Sequence, residues 1–81
     1  DAKMTVIGYR KSEFDTDDKK HIIGYNIYVT EPIEATRGVG ESCERIFMTE
    51  DKLKGFLPSV GDEIAVTYNK YGKPASIEVL R

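Results

Sequence analysis

Val60-Gly61-Asp62-Glu63-Ile64-Ala65-Val66-Thr67-Tyr68, then Asn69-Lys70-Tyr71-Gly72-Lys73, then Pro74-Ala75-Ser76-Ile77-Glu78-Val79-Leu80 is the stretch that decides the fold. Ile64, Val66 and Tyr68 alternate along one strand, and Ala75, Ile77 and Val79 alternate back along another. Asn69 and Gly72 stand between them, residues whose backbones tolerate positive φ and so close hairpins. Lys70, Tyr71 and Lys73 are more than such a turn needs. Two cations and a ring in so tight a loop mark it as a candidate binding loop.

Toward the N-terminus the chain is again β-patterned. Lys3 to Lys11 reads as a strand with Met4, Val6 and Gly8 on one side and Thr5, Ile7 and Tyr9 on the other, Gly8 marking a bulge or bend. Ser12 to Lys20 is polar and acidic without apolar periodicity, so an exposed connection is expected there. His21 to Thr30 is a second strand, with Ile23, Tyr25, Ile27 and Val29 on one face. Glu31 to Glu41, with Pro32, Gly38 and Gly40 around Arg37, reads as a loop. Ser42 to Thr49 is a third strand, Cys43, Arg45, Phe47 and Thr49 facing one way and Glu44, Ile46 and Met48 the other. Thr49 as cap, with Glu50 and Asp51 behind it, opens a short helix that Leu53-Lys54-Gly55 stops.

Three strands, a short helix and two strands match a five-stranded OB-fold-like Greek-key barrel, all-β but for a helix between strands three and four. An SH3-like barrel is the chief competitor, but its short helix usually precedes the last strand. Eighty-one residues are expected to form one domain over 1–81, with one core burying most apolar side chains.

Composition narrows the function. At 40% hydrophobic and 32% charged residues the chain is ordinary for a soluble protein, and no apolar run reaches the ~20 residues of a membrane helix. Asp1-Ala2-Lys3-Met4 offers no secretory leader, and the single Cys43 forms no internal disulfide or cysteine zinc site, so a cytoplasmic location is expected. His21, the only histidine, has neither a second ligand nor a nucleophile beside it in sequence. Asp15-x-Asp17-Asp18 lacks the glycine and terminal glutamate of a calcium loop, and Gly38-x-Gly40 lacks the lysine of a phosphate loop. No catalytic group, metal or cofactor is therefore expected, and the protein is read as a non-enzyme.

The run Gly24-Tyr25-Asn26-Ile27-Tyr28-Val29, the strand end Phe47-Met48-Thr49, the Pro58-x-x-Gly61 approach and the Tyr68-Asn69-Lys70-Tyr71-Gly72 hairpin resemble small single-stranded-DNA-binding proteins of phages and conjugative elements. That group is similar to the filamentous-phage helix-destabilising protein. The resemblance implies an OB-type subunit, commonly dimeric, that coats single-stranded DNA without sequence preference. Its aromatic rings stack on bases while lysine and arginine track the phosphates. It places Tyr71, Lys70 and Lys73 in the aromatic-basic hairpin and Tyr25 or Tyr28 on the second strand.

The residues reach a similar reading unaided. OB-fold ligands cross strands two and three, flanked by the loops joining strands one to two and four to five. Tyr9, Arg10, Lys11, Tyr28, Arg45, Phe47, Lys70 and Tyr71 lie on that path, with Lys73 beside them in the turn, and Arg37, just ahead of Gly38-x-Gly40, is placed to close over a strand. Five tyrosines without a tryptophan are too many for so small a barrel to bury, which favours stacking. The expected ligand is single-stranded DNA, with RNA as the alternative nucleic acid. The net charge of −2 opposes bulk attraction to phosphates, so binding requires a locally basic face. The alternative is a protein-interaction or assembly module using the same aromatic patch, and an unpaired edge strand favours a homodimer.

Overall fold

The computed structural model describes residues 3–80. Strands β1 (Lys3–Asp15), β2 (His21–Pro32) and β3 (Glu41–Thr49) precede a one-turn helix, α1 (Glu50–Leu53), and strands β4 (Glu63–Tyr68) and β5 (Pro74–Leu80) close the chain. All pairings are antiparallel, in one sheet ordered β3-β2-β1-β4-β5. The two edge strands, β3 and β5, approach each other without a hydrogen-bonded ladder among the described residues. No helix among them is long and apolar enough to cross a membrane.

Alternation builds the core. Met4 and Val6 on β1, Ile27 and Val29 on β2, Ile46 and Met48 on β3, and Ile64 and Val66 on β4 are buried on one face, the inner face. Leu53 closes it from the helix, and Tyr25, Leu57, Ile77 and Val79 pack around it. Each such aliphatic side chain contributes about 1.5–3 kcal/mol on full burial. The helix is short because Lys54 (φ 54°) and Gly55 (φ 79°) turn left-handed directly after it. Thr49 stands at its N-cap, extended, without the side-chain capping bond expected from its identity.

Two features of β1 depart from the sequence reading. Its register with β2 shifts between Val6 and Gly8, so Ile7 is an extra residue and the strand's two faces exchange from there on. The bulge is tied down from the far end of the chain, since Gly61 N donates to Val6 O (2.8 Å) and Val6 N to Asp62 O (2.9 Å). Beyond it Tyr9 pairs with Ile27 and Lys11 with Tyr25, on the inner face, whereas Gly8 pairs with Tyr28 on the outer one. This reverses the facing expected for Tyr9 and Gly8 from uninterrupted alternation.

The second departure is length. The first four residues of the connection expected over Ser12 to Lys20 are ladder, because Ser12 to Asp15 pair with Gly24 to His21, leaving only Thr16–Lys20 as the turn. Since β3 pairs with β2 only as far as Gly24, the last rungs form a two-stranded ribbon beyond the core. The chain is correspondingly extended, 46 × 25 × 22 Å. Its radius of gyration, 13.9 Å, exceeds the roughly 12 Å of a compact chain of this length.

Candidate nucleic-acid interface

Fixing the register of three strands fixes what the outer face displays. Four successive rungs run across β1, β2 and β3: Gly8–Tyr28–Arg45, Arg10–Asn26–Phe47, Ser12–Gly24–Thr49, and Phe14–Ile22 on the ribbon. Strand and rung spacings make this surface about 20 Å long and about 10 Å across. It carries two arginines and no acid. Glu13, Asp15, Glu31 and Glu44 all fall on the inner-face parity of the same strands. The acids flanking this surface on the outer side, Glu41 and Glu63, lie past the bulge. A chain of net charge −2 thus presents a locally cationic patch, because side chains alternate along a strand and the acids occupy one phase. Among the described residues neither Arg10 nor Arg45 is in an ion pair.

The aromatic content of the patch is organised around a glycine. Phe47, from β3, leans across β2 so that the far edge of its ring covers Gly24; a Cβ there would lie 2.4 Å from Phe47 Cζ. Phe14 reaches in from β1, and the two ring centroids stand 6.0 Å apart at 47°. The rings therefore meet over β2, Phe14 45% exposed and Phe47 half-buried. Tyr28 lies half-buried two rungs away from Gly24, beside Arg45. Such a surface offers π-faces to flat apolar groups and guanidinium groups to phosphate.

Of the residues singled out from sequence, Arg10, Tyr28, Arg45 and Phe47 share this patch. Tyr9 and Lys11 do not, because the bulge carries them to the inner face. There Tyr9 meets Tyr25 edge-on, with centroids 6.0 Å apart. Lys11 Nζ lies 3.1 Å from Glu13 Oε1; that bond holds the ammonium above its usual pKa and the Glu13 carboxyl below its own. Its charge is already matched.

Arg37 sits in the β2–β3 loop, whose backbone is closed by Arg37 N and Gly38 N donating to Glu34 O. Lys70, Tyr71 and Lys73 occupy the β4–β5 turn. β4 pairs with only the first residues of β1 and runs on past Lys3, so this turn and Phe14 lie at opposite ends of β1. The turn itself forms as expected, by a different mechanism at one residue. Gly72 takes the positive φ (76°), whereas Asn69 acts through its side chain, Oδ1 accepting from Tyr71 N (2.9 Å) and Lys73 N (3.1 Å). Lys70 Nζ stands 5.1 Å over the Tyr71 ring. Tyr68, at the foot of the turn, has its hydroxyl pKa raised by burial and by Glu44 and Glu31, so the folded chain brings acids to a hairpin that is basic in sequence.

Compared with known proteins, this chain matches no protein-family model, no characterised sequence and no solved structure.

Phe14, Ile22 and Asn26 belong to the patch and are absent from the sequence selection. Phe14 is hidden within Glu13–Asp18, a run whose acidity reads as loop; its signal was the one apolar residue two positions from Ser12 on an extended β1. At the ribbon tip the acids gather instead around His21, whose Nδ1 lies 2.8 Å from Asp15 Oδ1 and Nε2 3.3 Å from Glu13 Oε2. A neutral imidazole can donate to only one of them. The hydrogen bond to Asp15, with Glu13 assisting, raises the histidine pKa above its ordinary 6.5. Among the described residues no group of histidine, cysteine, aspartate and glutamate side chains is arranged to hold a metal ion.

Proposed function

We propose that this protein binds single-stranded DNA, with little sequence preference and without catalysis, across the outer face of β1, β2 and β3. The observation that carries the reading is the separation of charge and rings on that sheet. Four rungs hold Arg10, Arg45, Tyr28, Phe47 and Phe14 with no carboxylate, in a chain that is acidic overall. Stacking on such rings is worth about 1–3 kcal/mol per base and tolerates any sequence. The sheet supports an OB-type barrel. Its order β3-β2-β1-β4-β5 would close by β3 meeting β5, the pair of edges that approach each other, with the helix filling the core between β3 and β4.

In this reading Arg10 and Arg45 take phosphates, and Phe14, Phe47 and Tyr28 take bases. Asn26, between Arg10 and Phe47, supplies an amide to a base edge or sugar. The test is fluorescence anisotropy of a labelled oligo-dT, titrated with wild-type protein and with Arg10→Glu/Arg45→Glu at low salt. Saturable binding by the wild type and its loss in the charge-reversed variant are expected. No binding by wild-type protein at high micromolar concentration would refute the function. Unchanged binding by the variant would move the site off this face.

A further inference from the structure

Gly24 lies at the centre of the patch yet offers a ligand no side chain. It pairs with Ser12 on one side and Thr49 on the other, two small residues, so the rung beneath the rings is low across all three strands. Its own φ is unexceptional, so backbone freedom does not explain a glycine there. Space does. A Cβ at this position would stand 2.4 Å from Phe47 Cζ and 2.8 Å from both Phe47 Cε1 and the Met48 carbonyl oxygen. The ring could swing away, but the carbonyl belongs to the sheet. Gly8 is the contrasting case in the neighbouring strand, where a Cβ would meet nothing within 4 Å.

We infer that Gly24 is the positioning residue of a stacking platform, the gap in β2 that lets Phe47 cross to Phe14 and present a two-ring surface to one unpaired base. The inference rests on the proposed binding of single-stranded DNA at this face. With any larger residue at 24, Phe47 must lift or rotate, its contact with Phe14 at 6.0 Å is lost, and each ring stands alone on its strand. A glycine inside a strand is also commonly covered by an aromatic ring for stability alone. The two roles differ in what couples to what: cover for the glycine appears in unfolding, whereas positioning of the ring appears in ligand affinity and only while the ring is there.

A double-mutant cycle separates them. Gly24→Ala, Phe47→Leu and the double variant are titrated with labelled oligo-dT, and their urea unfolding is recorded alongside. Gly24→Ala should weaken binding about fivefold or more with Phe47 present, the loss of one stacked base at the lower end of its range. In the Phe47→Leu background, where the side chain is too short to reach across, it should change affinity less than twofold. Equal losses in both backgrounds, or no loss in either, would overturn the inference. Should Gly24→Ala fail to fold, the wild type alone still decides: the Phe47 ring must shift the Gly24 α-protons upfield, and that shift must change on adding oligo-dT. Gly24 α-protons at ordinary shifts, or unmoved by ligand, would overturn it. Failure of wild-type protein to bind oligo-dT sinks the functional reading itself, a result distinct from binding without Gly24–Phe47 coupling.

Discussion

The salt dependence of binding distinguishes the four-rung patch from the wider set of residues that the sequence suggests. Each phosphate neutralised on a single strand adds about 0.7 to the slope of log affinity against log salt. A patch whose only cations are Arg10 and Arg45 should give a slope of about −1.4, so raising salt from about 50 to about 200 mM weakens binding about sevenfold. Removing one guanidinium by Arg45→Ala should bring the slope to about −0.7 and the same salt change to about 2.6-fold. If Arg37, Lys70 and Lys73 also touched phosphate, five cations would give a slope near −3.5 and a loss of roughly 130-fold. These outcomes are far apart. Anisotropy of labelled oligo-dT is the appropriate assay, because of the five tyrosines only Tyr28 lies on the four rungs and intrinsic fluorescence would report weakly. A slope near −3.5, or one that Arg45→Ala leaves unchanged, would refute assignment of the phosphate contacts to this face.

Four further outcomes follow from the same structure. Cys43, exposed on the outer face next to Arg45 in alternation, should be alkylated more slowly when oligo-dT saturates the protein; an unaltered rate would place the ligand elsewhere. His21 should titrate by NMR above 6.5, and Asp15→Asn should lower that value. Because the folded pKa is raised, the stabilisation by this cluster is complete below about 6.5 and is lost as pH rises through the folded pKa, so a titration at or below 6.5 would contradict the geometry. Gly72→Ala forces a Cβ into φ 76° and should cost about 1 kcal/mol in urea unfolding without affecting the oligo-dT salt slope. Ile27→Ala, at a fully buried position, should cost about 2–5 kcal/mol, and a loss below 1 kcal/mol would show that the core is not packed as described.

The order of elements was legible because the apolar residues of β2, β3 and β4, and of β5 from Ile77 on, alternate, and alternation is what a half-buried strand looks like in sequence. Ala75, which reads as part of that alternation, is instead the extra residue where the β4–β5 register shifts. Arg45, Phe47 and Cys43 were assigned to one face of β3 correctly for that reason. Tyr9 and Lys11 were not separable from Arg10 by the same logic. A bulge changes the phase of every residue after it, and Gly8 signals one without saying which residue is extra. The ribbon was missed because two strands outside the core need no apolar stripe; its rungs are held by backbone pairing, by Phe14 against Phe47, and by charged contacts such as His21 with Asp15. Distance along the sheet was invisible altogether. Nothing in the order of residues tells that the lysine-bearing turn and the aromatic pair stand at opposite ends of β1.

The bulge at Ile7 makes the identity of the exposed surface a question of counting. Deleting Ile7 would only remove the bulge and leave every later residue facing as it does; drawing Ile7 into the ladder as an ordinary paired residue would instead bring Tyr9, Lys11, Glu13 and Asp15 to the side now held by Arg10 and Phe14. In that flattened strand the arginine would turn inward over the core and two carboxylates would turn outward, with no change in composition at all. A cationic sheet would become an acidic one by a shift of one in parity. In a chain built this way the surface chemistry depends on whether one bulge is kept, and the clamp from Gly61 and Asp62 onto Val6 is what holds it.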